Sequence, residues 1–316
     1  MPAIEIENLV KDYKNGVKAL DEFRLQVNSG EIFSLLGPNG AGKSSLINIL
    51  TTYYKPTSGK VTMLGRDLSK NSAWIRQQIA CVAQHISIDL HLSLLENMIF
   101  QSRLYKVDSK IAKERINSLI DSFELSRYLK YPVASYSGGV KRRLDIAMNM
   151  VSLPKILFLD EPTVGMDAIS RRAMWKMLLK IREEFNTTIF LTTHYLAEAD
   201  QLSDQICIMR DGKELVQGTP GSLRQYTRQN ILRITFSNAE QTKKISDELD
   251  KMELIKFTDL RANSISAGVD DSRRAFTAVN KWLLDHHVEF DAIEIVEPDL
   301  EDVFIGLIGS GKTEEE

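Results

Sequence analysis

The chain has 316 residues, a length typical of about two domains. With 26% charged residues, 43% hydrophobic residues and a net charge of −3, it is neither a disordered chain nor one with an overall positive field for nucleic acid, and no nucleic-acid partner is expected. Two cysteines are too few for a disulfide framework, the first residues do not resemble a signal peptide, and no apolar run approaches the roughly 18 residues of a membrane span. We therefore expect a reducing compartment, and contact with a membrane only through a partner.

Short apolar strands alternate with helices over the first 220 residues. Residues 4–27 have partly alternating apolar side chains, which predict strands, and 31–36 predicts a short strand buried on both faces. Helical spacing predicts a helical insert at about 90–150. Residues 156–159 and 188–192 predict two more buried strands with a helix between them. This order of strand, helix and strand predicts a parallel sheet.

A domain boundary is predicted near residue 220, at Gly218-Thr219-Pro220-Gly221. Beyond it the pattern reads strand-helix-strand-strand-helix-strand, which is the ferredoxin-like order. A tail helix over 298–309 should carry one apolar stripe formed by Leu300, Val303, Phe304, Leu307 and Ile308. We expect residues 221–316 to fold as a unit that takes no part in the chemistry and works through contacts.

One glycine-rich segment fits the phosphate-binding pattern G-x-x-x-x-G-K-[ST] at every fixed position. It reads Gly37-Pro38-Asn39-Gly40-Ala41-Gly42-Lys43-Ser44 and lies between a predicted buried strand and a predicted helix. Glycines let backbone N–H groups surround phosphate oxygens, and the helix N-terminus adds the positive end of a dipole. Lys43 is expected to reach the β- and γ-phosphates, and Ser44 to ligate Mg²⁺. A plain glycine turn is the structural alternative.

A pair of acidic residues follows the predicted strand 156–159. A strand that ends in a carboxylate places it at the sheet edge where open α/β folds bind ligands. Asp160 is expected to hold Mg²⁺, and Glu161 to orient or deprotonate an attacking water. An acidic turn before Pro162 is the alternative, and the phosphate loop upstream makes it the weaker one.

These motifs resemble, in content and order, the ATP-binding cassette (ABC) ATPases, the nucleotide-binding subunits of ABC transporters. The resemblance covers residues 4 to about 220 and implies that Tyr13 stacks on adenine, that Gln84 senses the γ-phosphate and the membrane partner, and that His194 is the switch histidine. Residues 164–167 are similar to the family's D-loop. Alone, each of Tyr13, Gln84 and His194 would more often be structural, and only their joint order favours the site.

The resemblance implies three groups of site residues. The catalytic residues are expected to be Glu161, His194, Lys43 and Gln84, and the metal ligands Ser44, Gln84 and Asp160. The nucleotide-binding residues are expected to be Tyr13, Gly37, Pro38, Asn39, Gly40, Ala41, Gly42, Lys43, Ser44, Ser45, Ser137, Gly138, Gly139 and Asp167. The implied cofactors are ATP and Mg²⁺.

The segment Ser137-Gly138-Gly139 is similar to the centre of the family's signature motif and opens a predicted helix. The resemblance implies that it closes over ATP bound to a second cassette, expected to be a second copy of this chain. Tyr136 and Val140 depart from the family's Leu and Gln, and we expect activity to survive because neither position has to bind phosphate. Lys141-Arg142-Arg143 is expected to be a solvated or phosphate-facing helix face.

The implied fold class is α/β: a P-loop NTPase cassette over 1–220 with a mostly parallel core sheet, an antiparallel β subdomain and a helical subdomain, plus a small α+β ferredoxin-like domain over 221–316 for regulation or dimerisation. Residues 298–304 and the signature are similar to drug-resistance and sodium-export ATPases that pair with ABC-2-type permeases. The implied partner is such an integral-membrane permease, which would hold the chain at the cytoplasmic face of the cell membrane.

Two other functions remain open at this point. The first is a soluble ABC ATPase of repair or translation type, although repair members carry a long inserted coiled coil and translation factors usually carry two cassettes. The second is small-molecule sensing by the C-terminal region, which rests on fold analogy alone.

Overall fold

The computed structural model describes residues 2–226, 230–237 and 242–309. The chain divides into two compact units, Met1–Gln217 and Gly218–Glu316. Over these described ranges, no helix combines the length and the apolar composition that a membrane crossing requires.

A six-stranded sheet forms the centre of the first unit. Its strands are Ile32–Leu36 (β3), Ile79–Val82 (β6), Ile156–Asp160 (β7), Thr188–Thr193 (β8), Gln205–Arg210 (β9) and Lys213–Gly218 (β10). They lie in the order β10-β9-β3-β8-β7-β6, and the five strands from β9 to β6 pair in parallel. Every residue of β3 and β8 is buried, as expected of strands covered on both faces. The predicted mostly parallel core sheet is confirmed.

A second sheet of the first unit is antiparallel. It contains Pro2–Asp12 (β1), Lys18–Asn28 (β2), Ser58–Met63 (β4) and Arg66–Asp67 (β5), in the order β2-β1-β4-β5. Two helices belong to this part of the chain, Lys43–Leu50 (α1) and Leu68–Arg76 (α2). The buried side chains of this sheet and of α1 form one apolar cluster together with Phe33 and Phe190. The antiparallel β subdomain is therefore present beside the core sheet.

The predicted helical insert is present between β6 and β7. Its helices are Leu94–Leu104 (α3), Ser109–Ser122 (α4) and Gly138–Met150 (α5). Ser93 and Glu96 form a capping box at the start of α3, and Asp108 caps α4. Two more helices follow β7 and β8, namely Ala168–Phe185 (α6) and Leu196–Leu202 (α7).

The second unit has its own sheet and core. Its elements are Pro220–Tyr226 (α8), Asn230–Thr235 (β11), Thr242–Leu249 (α9), Ile255–Arg261 (β12), Ser264–Val269 (β13), Ser272–Asp285 (α10), Ala292–Val296 (β14) and Leu300–Gly309 (α11). The strands lie in the order β12-β13-β11-β14 and pair antiparallel throughout. From β11 to β14 the element order is the predicted one. The ferredoxin-like assignment stays a prediction.

The tail helix α11 is held by charge as well as by apolar packing. The Arg261 guanidinium lies 2.6 Å from carboxylate oxygens of both Asp299 and Asp302, and the Asp302 side chain is fully buried. Leu300 and Val303 of the predicted stripe are buried. Its other three members, Phe304, Leu307 and Ile308, are half-buried. The stripe is thus covered at its first turn and partly open beyond it.

Candidate functional site

The predicted phosphate loop, residues 37–42, connects β3 to α1. Gly42 is the N-cap of α1 with φ of +108°, a left-handed backbone that favours glycine. A Cβ on Gly42 would lie 2.3 Å from the Ala19 backbone oxygen, and one on Gly37 would lie 2.5 Å from that of Met209. The loop thus needs glycine at both positions. A glycine N-cap also has no side chain to compete for the first N–H groups of α1, which is the arrangement that binds phosphate.

The Lys43 side chain folds into this loop. Its Nζ donates to the backbone oxygens of Gly37 at 2.6 Å and Pro38 at 3.0 Å, and the residue is only 8% exposed. Burial lowers the pKa of Lys43, while the nearby carboxylates of Glu161 and Asp160 oppose that shift. The Lys43 amino group is therefore held among backbone oxygens, within electrostatic reach of the acidic pair.

Tyr13 lies beside the start of α1. Its hydroxyl and the Ser45 Oγ share a hydrogen bond of 3.0 Å, while the neighbouring Ser44 is exposed. Tyr54 packs edge-on against Tyr13 with 6.0 Å between ring centroids, and the Lys11 Nζ lies 5.1 Å from the Tyr13 centroid. The predicted adenine-stacking residue is therefore next to the phosphate loop. Its neighbours Tyr54 and Lys11 belong to no family motif and were therefore not predicted.

The acidic pair is fixed by the neighbouring strand. The Thr192 hydroxyl donates to the Asp160 carboxylate at 2.6 Å. The N–H of Glu161 lies 3.1 Å from both the backbone oxygen and the hydroxyl of Thr192. Glu161 has φ of +47°, a left-handed conformation that is uncommon outside glycine and is often found at functional sites. Thr192 was not predicted, since a threonine inside an apolar strand gives no signal in the sequence.

Two of the predicted catalytic residues, Gln84 and His194, contact a third, Glu161. The Gln84 Nε2 donates to Glu161 Oε2 at 3.2 Å, and His194 Nδ1 lies 3.2 Å from Oε1. Gln84 follows β6, Glu161 follows β7 and His194 follows β8, so the carboxyl ends of three adjacent parallel strands supply them. Both oxygens of the carboxylate are thereby engaged, and its orientation is set.

The signature segment has an exposed and a buried part. Ser137 is the N-cap of α5, and both Ser137 and Gly138 are exposed. Tyr136 and Val140 are 6% and 5% exposed and belong to the apolar core of the helical insert. The Tyr136 hydroxyl donates to the Tyr128 backbone oxygen at 2.7 Å. The two departures from the family pattern are therefore packing positions.

A cavity of about 210 Å³ is lined both by the signature segment and by Glu161 of the same chain. Its lining includes Gln84, Ser137, Gly139, Glu161, Gly165 and Asp167. Asp167 is also the N-cap of α6, because its carboxylate accepts from the Ile169 and Ser170 N–H groups at 2.9 Å. Hydrogen bonds from Ser170 lower the pKa of Asp167. This capping role was not predicted, and contact of Asp167 with nucleotide stays a prediction.

The expectation for Lys141-Arg142-Arg143 as a solvated or phosphate-facing face is wrong. Arg142 is 4% exposed, and its guanidinium donates to backbone oxygens. Lys141 donates to the Ala134 oxygen and Arg143 to the Phe123 oxygen, both within the helical insert. Successive helical residues are about 100° apart, so three in a row cannot share one face. One of them had to point into the protein.

The predicted metal ligands fit Mg²⁺ chemically. The Ser44 hydroxyl, the Asp160 carboxylate and the Gln84 amide all offer oxygen. Across the described residues no group of three or more His, Cys, Asp or Glu side chains could hold a metal ion. Mg²⁺ is commonly held by one or two carboxylates together with substrate phosphates, and Asp160 is the carboxylate predicted for that role.

Comparisons with known proteins agree with these features. Residues 20–164 match the ABC transporter family. The chain is 37% identical to the daunorubicin/doxorubicin resistance ATP-binding protein DrrA of Streptomyces peucetius, over 97% of this chain and 92% of that one. It is 36% identical to the Nod factor export ATP-binding protein I of Sinorhizobium fredii, over 70% of this chain and 64% of that one.

Solved structures match about two thirds of the chain. CbiO1 of Clostridium perfringens, part of the ABC transporter complex cbiONQ, has a TM-score of 0.67 at 26% identity, over 70% of this chain and 90% of that one. The dimeric post-hydrolysis state of the ATP-binding cassette MJ0796 bound to ADP and Pi has a TM-score of 0.60 at 27% identity, over 68% and 98%.

Thr192 provides a test of the site geometry. Thr192→Val keeps the shape of the side chain but removes the hydroxyl that donates to Asp160 and accepts from the Glu161 N–H. We expect the rate of MgATP hydrolysis to fall by about 10- to 100-fold, the usual range when the partner of a metal ligand is lost. Thr192→Ser keeps the hydroxyl and should retain most activity. Equal rates for the two variants would contradict this role.

Proposed function

The chain belongs to the ABC transporter family of ATP-binding proteins, and we propose that it is the MgATP-hydrolysing subunit of an exporter that drives a separate ABC-2-type permease from the cytoplasmic face of the cell membrane. The observation that carries this proposal is the meeting of Gln84, Glu161 and His194, with Glu161 close enough to the loop residue Lys43 to affect its pKa. The names of the relatives, which concern drug resistance and Nod factor export, support the direction of transport.

The phosphate loop is the proposed binding site for the ATP phosphates. Its glycines let backbone N–H groups face an anion, and the N-terminus of α1 adds the positive end of a dipole. Lys43, which contacts the oxygens of Gly37 and Pro38, would exchange those acceptors for phosphate oxygens. The ring of Tyr13, hydrogen-bonded to Ser45, would stack on the adenine.

Mg²⁺ would be held by Ser44, Asp160 and Gln84 and would supply positive charge against the phosphate oxygens. In the proposed chemistry, Glu161 accepts a proton from the attacking water or orients it. Gln84 and His194 hold the two oxygens of that carboxylate, so it is in place before substrate arrives. Such prior positioning is the principal way that proteins accelerate phosphoryl transfer.

A second copy of this chain is the proposed partner at the site. Ser137 and Gly138 at the start of α5 are exposed, and no side chain caps that helix. Two apolar residues nearby are exposed as well, Val164 of the D-loop at 37% and Ile169 in the first turn of α6 at 82%. An anion-binding helix start beside exposed apolar side chains suits a surface that closes on nucleotide held by another cassette.

The outer face of α3 is the proposed docking surface for the permease. Leu94 and Met98 are buried on the inner face of this helix. Its outer face exposes four large apolar side chains, Leu95, Ile99, Phe100 and Leu104, each 40% to 61% exposed. Ile86 and Leu90, in the segment that follows Gln84, are exposed too. An apolar surface next to the glutamine segment suits a partner protein whose movement would be transmitted through Gln84 to the Glu161 carboxylate.

Glu161→Gln keeps the size and hydrogen bonding of the side chain but removes the base. Hydrolysis should fall by roughly 10² to 10⁴-fold, while ATP binding persists and closed dimers accumulate with MgATP. Lys43→Ala should instead lose binding or turnover, because no other described cation donates into the loop. Phosphate release, nucleotide affinity and gel filtration measure the three effects.

Substitutions of exposed residues in the same unit are the controls for Glu161→Gln and Lys43→Ala. Glu183→Gln on α6 and Lys60→Ala on β4 change surface side chains that are 68% and 54% exposed. Both should hydrolyse ATP like the unaltered chain. If Lys43→Ala also kept that activity, the assignment of the site would be wrong.

If the permease docks at α3, a charge placed in this face should release the chain from membranes. Ile99→Asp places a charge in the exposed apolar face of α3 without touching the site. The full-length chain should sediment with membranes of its own cells, together with a protein of about six hydrophobic spans, and Ile99→Asp should shift most of it to the supernatant. Leu284→Asp, on a residue of α10 that is 59% exposed, is the matched control. An unchanged distribution for Ile99→Asp would contradict docking at α3.

Residues 221–316 are proposed to regulate or dimerise the cassette and to take no part in hydrolysis. Support comes from their own buried core and from the partly open stripe of α11. A chain ending after Gly221 should bind ATP nearly as tightly as the full chain but differ in oligomer mass or basal ATPase rate. Phe304→Asp should reproduce much of that difference. Loss of nucleotide affinity from a folded truncated chain would assign this region to the site.

A further inference from the structure

The buried guanidinium of Arg142 lies between the signature helix and the catalytic segment. Arg142 is in α5, and its side chain donates three hydrogen bonds to backbone oxygens. Two of the acceptors are the oxygens of Asp160, at 3.0 Å, and Pro162, at 3.2 Å, the residues on either side of Glu161. The third is the oxygen of Ala83, the residue before Gln84.

Asp145, one turn further along α5, adds a second link. It is 1% exposed, and its Oδ2 lies 3.6 Å from Arg142 Nη1. Its Oδ1 accepts a hydrogen bond of 2.6 Å from the hydroxyl of Ser87, in the segment that follows Gln84. The ion pair on α5 therefore holds the glutamine segment at two points, one on each side of Gln84.

Packing alone does not account for arginine at this position. A buried guanidinium is unfavourable unless its charge and its donors are satisfied, and an apolar side chain would fill the space without that requirement. The planar guanidinium donates to three separate carbonyl groups from three different nitrogens, whereas lysine would have to reach them from a single nitrogen. Two of these groups flank Glu161, the residue in the left-handed conformation. The contacts therefore hold the backbone on both sides of Glu161, at the peptide unit that precedes it and at the peptide unit that follows Pro162.

We propose that Arg142 is a positioning residue for ATP hydrolysis, which holds Gln84 and Glu161 of its own chain on the signature helix. One consequence rests on the proposed function and its dimer. When the signature segment closes on the nucleotide of the second cassette, the same movement aligns the Glu161 carboxylate of this chain. Among the described residues, the hydrogen-bond partners of Arg142 lie in the glutamine and catalytic segments and none in the phosphate loop. ATP binding should thus be separable from catalysis.

The test compares Arg142→Met and Arg142→Lys in the full-length chain. Arg142→Met removes every donor, and kcat should fall on the order of 10²-fold, the size of loss that small displacements of catalytic groups produce. KM for ATP should stay within about twofold, because the phosphate loop is unaltered. Arg142→Lys keeps the charge beside Asp145 and should recover part of kcat. Arg143→Gln, one residue along α5, is the matched control and should keep both constants.

Ser87→Ala covers the case in which Arg142→Met does not fold. It removes only the link from Asp145 to the glutamine segment and should lower kcat less than Arg142→Met, again without raising KM. Folded Arg142→Met or Ser87→Ala with unaltered kcat would overturn the inference, as would a parallel change of kcat and KM. An inactive unaltered chain, or an active Lys43→Ala chain, would instead overturn the proposed function itself.

Mixed dimers test whether Arg142 acts within its own chain. In a dimer of an Arg142→Met chain with a Lys43→Ala chain, the competent phosphate loop belongs to the chain that lacks Arg142, so hydrolysis should be slow. In a second mixed dimer, the unaltered chain is paired with a chain that carries both Arg142→Met and Lys43→Ala. Its hydrolysis rate should equal that of a reference dimer of the unaltered chain with a Lys43→Ala chain. Two affinity tags allow each mixed dimer to be isolated. The reverse ranking would show that Arg142 acts across the interface and overturn the inference.

Discussion

The parallel pairing of β6, β7 and β8 is the constraint on which the site depends. Parallel strands end at one edge, so the residues that follow them meet there, although they are far apart in the chain. The register pairs Val82 with Leu159 and Asp160 with Thr192. A slip of one residue would turn every side chain of a strand to its opposite face and separate the carboxylates from their partners.

Burial strengthens the hydrogen bonds of the polar groups at this edge and also requires that every donor and charge has a partner. Lys43 and Arg142 are nearly inaccessible, and each is surrounded by backbone oxygens. In a low-dielectric interior such contacts are stronger than in water, but an unmet donor or charge is correspondingly costly. The site is therefore rigid where backbone is held, around Glu161. At Ser44 and Ser137, where substrate and a second cassette are proposed to bind, side chains are exposed.

In the second unit, too, a buried charged side chain has a partner of opposite charge, and here the paired charges lie at the start of a helix. Arg261 contacts Asp299 and the buried Asp302, so a charged cluster fixes the first turn of α11. Beyond that turn, three apolar residues of the stripe are only half-buried. A helix anchored at one end and partly open at the other suits contact with another surface, which is the role we propose for this region.

The sequence by itself predicted three strands of the core sheet, β3, β7 and β8, and a phosphate-binding loop. Short apolar runs marked these strands, and the spacing of glycines before Lys43 marked the loop, because both signals are local in the chain. The strands β6, β9 and β10 of the same sheet were not predicted. Glu161 was predicted from its place after an apolar strand and Gln84 and His194 through resemblance to a family, and the structure brings the three together. Local signals also marked the second unit's helices and strands, in the order that is observed.

Only the tertiary structure decided which polar side chains face inward. Arg142 and Arg143 are adjacent and alike in the sequence, yet Arg142 donates to the backbone oxygen of Asp160, beside Glu161, while Arg143 donates to that of Phe123 within the helical insert. Thr192 looks like any strand residue until β8 pairs with β7 and places its hydroxyl on Asp160. Asp167 resembles a ligand-binding residue, and the start of α6 makes it a cap. The orientation of a polar side chain depends on which segments distant in the chain offer it partners, and that is settled only when the strands and helices pack.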